Sequence, residues 1–167
     1  MNLTDNIKNK FKGNYEGPYT NKQTIVCEEK QSRFVLLISC EAFIYKIKLD
    51  DGYFNKNDKN KKCDFMLIEN NKKIAIYVEP KGKDLVTAYQ QILSSANHFE
   101  REENYKINKK YCCVVNSKIN AINKNSIKIR QLENNIIKNR IMILDSTNKQ
   151  TTYSITKVNG IYKLNKE

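Results

Sequence analysis

Residues 61–91 read KKCDFMLIENNKKIAIYVEPKGKDLVTAYQQ, and this stretch decides the fold that we expect. An acid, Asp64, opens the first apolar run; a second acid, Glu79, closes the next one, with Lys81 two residues further on. The polar residues 69–72 between the runs are typical of a hairpin turn. Two antiparallel strands joined by that turn place the start of the first strand beside the end of the second. The pattern therefore predicts that Asp64 and Glu79 converge at one end of a sheet.

The residue types at that end fit metal-assisted cleavage of phosphodiesters. Side chains two residues apart on a strand point to the same face, so Lys81 is expected beside Glu79. Two carboxylates can hold Mg²⁺ through oxygen ligands, and the cation lowers the pKa of bound water and offsets charge on phosphorus. Lys81 could orient or deprotonate that water, or bind the phosphate. The alternative is a structural salt bridge between Lys81 and the two acids.

The spacing acid-x-Lys is weak by itself, because Glu28-x-Lys30 repeats it. Upstream of Glu28 there is no acid at the start of a neighbouring strand that a hairpin would bring beside it. For Glu79, Asp64 is such an acid. The hairpin context is what favours residues 64–81 as the site.

Three segments, KCDFMLI, IAIYVEPKGKD and AYQQ, resemble the core of the PD-(D/E)XK nuclease superfamily, as found in its small bacterial members. The resemblance implies a restriction-endonuclease-like fold and a Mg²⁺-dependent endonuclease in which Mn²⁺ can substitute. It implies metal ligation by Asp64, Glu79 and the backbone carbonyl of Pro80. It also implies that Lys81 positions the water and that Gln91, on the following helix, faces the site.

The resemblance covers about residues 27–154 and is imperfect inside the motif. Pro80 stands where an apolar residue is expected between the Glu and the Lys, although it keeps the carbonyl that would bind the metal. For the acid that the family usually carries nearer the N-terminus, Glu28 and Glu29 are the two candidates.

The rest of the chain predicts an α/β fold, a mixed β-sheet flanked by helices, in a single domain of residues 1–167 with a core of about 24–157. We expect a short helix carrying Ile7 and Phe11, and a loop beyond Gly13. The expected strands are 34–38 and 43–49, which form a hairpin, then 64–68, 73–79, a central strand 111–115, and 141–144. The expected helices are 84–97, capped by Asp84, and 126–138, capped by Ser126. The apolar stripe of the second helix consists of Ile129, Leu132, Ile136 and Ile137. Residues 24–33 are ambiguous, and 151–155 and 161–164 form an edge strand or a packed tail.

The charge balance favours a polyanionic partner. Lys+Arg is 30 against Asp+Glu 18, a net charge of +12. We expect nucleic acid, DNA more than RNA, ahead of an anionic membrane; the alternative is a solvated basic surface in a Lys-rich proteome. The lysines that flank the expected site and would bind phosphates are Lys61, Lys62, Lys72, Lys73 and Lys83. The tyrosines that could stack bases are Tyr53, Tyr77 and Tyr89, although core packing is the expected role of Tyr77.

The five cysteines have no disulfide or zinc spacing, which indicates buried thiols and, with no apolar leader or span, a cytoplasmic protein. The sequence leaves open a homodimer or a subunit of a larger system. It also leaves open two functions without catalysis. One is a catalytically inactive module of the nuclease fold that binds nucleic acid, and the other is a subunit that binds a protein partner.

Overall fold

The computed structural model describes residues 3–54, 62–71, 73–80, 84–102, 105–115, 126–144 and 149–167. In chain order its elements are α1 (Leu3–Lys10), β1 (Tyr15–Tyr19), β2 (Thr24–Glu29), β3 (Ser32–Ile38), β4 (Ile44–Lys48), β5 (Phe65–Glu69), β6 (Ile74–Glu79), α2 (Leu85–Asn97), β7 (Lys109–Val114), α3 (Ile127–Lys138), β8 (Ile141–Ile143), β9 (Gln150–Val158) and β10 (Ile161–Lys166). Short helical turns follow β4 and α2, at Leu49–Tyr53 and His98–Glu102. The predicted α/β class is confirmed.

The ten described strands form two sheets, where the sequence predicted one. The larger has the order β1-β4-β5-β6-β7-β8, and the smaller has the order β10-β9-β3-β2. In the larger sheet β4, β5 and β6 pair antiparallel, whereas β6, β7 and β8 pair parallel through the crossover helices α2 and α3. This sheet is therefore mixed, as expected, and the hairpin β5–β6 lies at its centre.

Each face of the larger sheet is covered by a different layer. On one face the helices pack onto alternate strand residues such as Met66 and Tyr77. On the other face Leu67, Ile76 and Val78 pack against the smaller sheet. The prediction that helices flank the sheet therefore holds for one face only, and β6 is buried along its whole length because both faces are covered.

The predicted hairpin of residues 34–38 and 43–49 is wrong. Its first strand, β3, pairs with β2 and β9 in the smaller sheet, and its second strand, β4, pairs with β1 and β5 in the larger one. The connection between them crosses from one sheet to the other, with Ser39 N donating to the carbonyl of Ile155 at 3.0 Å. A continuous apolar run indicates a buried strand but does not indicate its partner.

Two further predictions are corrected near the ends of the chain. The loop expected beyond Gly13 contains β1; Gly17 is used there for close approach to β4, because a Cβ would lie 2.9 Å from the carbonyl oxygen of Ile44. The C-terminal segments, left open as edge strand or tail, form the antiparallel pair β9–β10 of the smaller sheet.

The helices follow their local signals closely. Asp84 caps α2 by accepting a hydrogen bond from the Val86 N–H at 3.0 Å, and Ser126 caps α3 through the Ile129 N–H at 3.2 Å. Ile137, predicted on the apolar stripe of α3, is instead 62 % exposed. Among the described residues, none of the helices is long and apolar enough to cross a membrane.

Candidate active site

The β5–β6 hairpin brings Asp64 and Glu79 together, as the sequence predicted. Phe65 lies opposite Val78 in the last registered pair, so the next position outward sets Asp64 against Glu79. The Asp64 N–H donates to Glu79 Oε2 at 3.2 Å. On the other side of β6 the Glu79 carbonyl accepts from the Val115 N–H at 2.9 Å. Glu79 is therefore held between two neighbouring strands, with one acid beside its carboxylate.

This carboxyl pair is electrostatically unfavourable without a cation. Glu79 is buried and Asp64 is half-buried. Burial, and then the negative charge of Asp64, raise the pKa of Glu79 to about 9, against the opposing hydrogen bond from the Asp64 N–H. Two carboxylates this close titrate as a pair, so near neutral pH the pair retains a proton. A divalent cation can replace that proton and offset the repulsion.

The smaller sheet also contributes charge to this site. Cys27 on β2 packs in the same core cluster as Val78, one residue before Glu79. Two residues after Cys27, Glu29 is among the charges that raise the pKa of Glu79. Glu28 is instead exposed and bound to Arg33, which donates from Nε at 3.0 Å and from Nη2 at 2.8 Å. Of the two acids that the sequence left open, Glu29 is thus tied electrostatically to the pair.

The position of Asp64 is set by contacts of its own backbone and of the residues just before it. Its carbonyl accepts from the Leu49 N–H at 2.8 Å. Gln91 Nε2 donates to the carbonyl of Lys62 at 3.0 Å, two residues before Asp64. The structure therefore brings Gln91 to the segment that carries Asp64, where its side-chain amide donates to a peptide carbonyl.

The flanking lysines do not all lie where the sequence placed them. Lys62 is buried; its Nζ donates to Ser94 Oγ at 3.0 Å and lies 5.0 Å from the centre of the Phe54 ring. Lys73 is exposed, but it precedes β6 and so lies at the opposite end of the hairpin from Glu79. The phosphate-binding role predicted for these two lysines at this site is therefore wrong. Lys61, Lys72 and Lys83 lie outside the described residues.

The tyrosines that could have stacked bases are largely structural. Tyr77 is fully buried beneath the helices, which confirms core packing. Tyr89 is 7 % exposed, and its hydroxyl donates to Glu133 at 3.3 Å across α2 and α3. Tyr53 packs edge-on against Phe11 with ring centres 5.0 Å apart. The five cysteines are free, as predicted, and four of them are buried.

The donor set around the pair is compatible with a hard divalent cation. Carboxylate oxygens from Asp64 and Glu79 are the ligands that Mg²⁺ prefers, and the buried Pro80 follows directly on β6. Among the described residues no group of three or more His, Cys, Asp or Glu is placed to hold a metal, so a cation at this pair would have two side-chain ligands from them. Lys81, predicted to position the water, lies outside the described residues.

Comparisons with known proteins assign neither a family nor an activity to this site. No family model, no curated protein and no solved structure matches the chain.

Proposed function

We propose that the chain is a metal-dependent nuclease that hydrolyses phosphodiester bonds of nucleic acid, as an endonuclease on DNA. The observation that carries the proposal is the pair of the half-buried Asp64 and the buried Glu79, held side by side at the open end of β5–β6 with the Glu79 pKa raised to about 9. Such perturbed carboxyl pairs are typical of functional sites. Membership of the PD-(D/E)XK nuclease superfamily, with its restriction-endonuclease-like fold, is part of the same proposal.

The site would use Mg²⁺, with Mn²⁺ as a substitute, held by the carboxylates of Asp64 and Glu79 and the carbonyl of Pro80. The cation supplies an acidified water and charge neutralisation at phosphorus. Glu79 would release its proton to solvent on taking up a cation, and Lys81 would orient the water. The net charge of +12 attracts the phosphate backbone without reading sequence. We further propose a cytoplasmic protein, acting as a homodimer or as a subunit of a larger system.

A second candidate is a catalytically inactive module on the same fold that binds nucleic acid or a protein partner. The observation that favours it is the two-carboxylate donor set of the described residues, combined with Pro80 inside the motif. Such a module would retain the positive charge and bind nucleic acid in a salt-sensitive manner, yet cleave nothing with any metal.

The test is a cleavage assay on supercoiled plasmid, single-stranded DNA and RNA, with Mg²⁺, with Mn²⁺ or with EDTA. We expect cleavage with either metal, and a loss of at least about 100-fold in Asp64→Ala, Glu79→Ala and Lys81→Ala. Glu28→Ala is the matched control, because Glu28 has the same spacing to a lysine but is bound to Arg33. Cleavage that survives all three substitutions would eliminate this site, and salt-sensitive binding without cleavage would support the second candidate.

A further inference from the structure

Helix α2 binds the two residues that immediately precede Asp64. Gln91 Nε2 donates to the carbonyl of Lys62 at 3.0 Å, and Ser95 Oγ accepts from the Cys63 N–H at 3.0 Å. Gln91 and Ser95 are four residues apart, which places them one above the other on the same helix face. The carbonyl and the N–H of the single peptide group that joins Lys62 to Cys63 are thus held by two side chains of one helix.

Breaking the contact between the Ser95 hydroxyl and the Cys63 N–H would cost free energy. Ser95 is fully buried, and its hydroxyl also donates to the Gln91 carbonyl at 2.9 Å. Removing it would leave the Cys63 N–H buried without that acceptor, which is costly in a protein interior. The side chain of Lys62 reinforces the attachment, because its Nζ donates to Ser94 Oγ on the same helix.

The same helix is also connected to the second acid of the pair. Helix α2 begins at Leu85, six residues after Glu79 and directly after its cap Asp84. Helix α2 packs through Ala88 and Ile92 in the same buried cluster as Tyr77 on β6, two residues before Glu79. Through hydrogen bonds it also holds the residues before Asp64. A shift of residues 62–63 relative to α2 would move Asp64 relative to Glu79.

We propose that Gln91 and Ser95 are positioning residues, which set the place of Asp64 relative to Glu79. By doing so they set the affinity of the acid pair for a divalent cation. The first statement stands on the hydrogen bonds of α2 alone; the second rests on the proposed function.

The test of positioning uses the metal-free protein and amide hydrogen exchange measured by NMR. The variants are Gln91→Leu, which cannot donate to the Lys62 carbonyl, and Ser95→Ala; Gln90→Leu, at the exposed neighbouring position, is the control. We expect the Asp64 amide, bound to Glu79 in the wild type, to exchange at least about tenfold faster in both variants, with amides in the middle of β6 unchanged within about twofold. A purely structural role would accelerate both sets of amides together, and that result, or no change at Asp64, would overturn the proposal. If Ser95→Ala does not fold, the exchange rates of Gln91→Leu alone test the proposal.

A second readout separates this proposal from the proposed function. Mn²⁺ titrated into the same proteins should bind about tenfold more weakly to Gln91→Leu and Ser95→Ala than to wild type or Gln90→Leu, as expected for residues that orient a ligand. A wild type that binds Mn²⁺ while both variants bind it equally well would overturn the second statement. A wild type that neither binds Mn²⁺ nor cleaves DNA would refute the proposed function and, with it, the second statement. Faster hydrogen exchange confined to the Asp64 amide would still establish that Gln91 and Ser95 position Asp64.

Discussion

The β5–β6 hairpin buries a glutamate at each end, Glu69 beside the turn and Glu79 at the open end, with 2 % and 3 % of their surfaces exposed. Glu69 accepts hydrogen bonds from the Asn71 N–H at 2.9 Å, Asn71 Nδ2 at 3.1 Å and the Lys73 N–H at 3.3 Å, and the Tyr162 hydroxyl lies at 3.4 Å. Glu79 accepts from the Asp64 N–H and stands against the Asp64 carboxylate.

The difference between these two glutamates shows that burial alone does not mark a functional acid. Donors surround Glu69, so its carboxylate closes the turn and links the two sheets through Tyr162 on β10. At Glu79 the neighbour is another acid, an arrangement that costs stability in the absence of a cation. The partner of a buried carboxylate, and not its depth, separates the structural end of the hairpin from the candidate active site.

The largest loss of stability is expected for a substitution of Glu69, at the turn end of the hairpin. Glu69→Ala removes the acceptor of the turn and should lower the free energy of unfolding by about 2–3 kcal/mol, because donors in and beside the turn lose their partner. Urea denaturation at pH 7 measures this loss. Glu69→Ala should still bind Mn²⁺ like the wild type when folded, and an unchanged free energy of unfolding would show that the turn does not depend on Glu69.

An effect of opposite sign, a gain in stability, is expected for Glu79→Gln in EDTA. The pKa of Glu79 is raised from 4.5 to about 9 on folding, so the folded state holds its proton more tightly than the unfolded state. The wild type should therefore lose stability as pH rises from about 5 towards 9, and Glu79→Gln should lack this part of the loss. At pH 8 the variant should be more stable than the wild type by at least about 1 kcal/mol, with the difference shrinking towards pH 5. If the free energies of unfolding of the wild type and of Glu79→Gln change in parallel from pH 5 to 9, the pKa of Glu79 is not raised by its burial and its pairing with Asp64.

The smallest effect is expected for Tyr162→Phe, which removes the long 3.4 Å contact between the sheets. We expect a loss of about 0.5 kcal/mol, since three closer donors to Glu69 remain. In combination with Glu69→Gln the two losses should be less than additive, because the residues share one contact. Strict additivity in urea denaturation would show that Tyr162 acts through packing alone.

The sequence predicted the elements whose signals are local. Asp84 and Ser126 cap their helices because a short polar side chain before an apolar stripe can accept from the first helical N–H groups. The β5–β6 hairpin follows from two apolar runs around a polar turn, so the approach of Asp64 to Glu79 was also predictable. Gln91 lies, as expected, on the helix that follows the hairpin.

Features that depend on distant pairing were not predictable from the sequence. The run of β3 is apolar on both faces, which gives its burial but leaves open which sheet it joins. Ile137 directly follows Ile136, so about 100° of helix rotation carries it away from the core face. The partner of Gln91 was also hidden, because helix spacing gives a direction and not the peptide group it meets. Ser95 was missed for the same reason.

Calorimetric titration of Mn²⁺ at pH 7.5, in two buffers of different ionisation enthalpy, shows whether Asp64 and Glu79 form a divalent-cation site. We expect the wild type to bind with proton release, because the pair retains a proton when no cation is bound. Asp64→Asn and Glu79→Gln should weaken binding at least about tenfold, and Glu69→Gln, the equally buried acid at the other end of the hairpin, should not. Equal binding by all four proteins, or none by the wild type, would contradict the account.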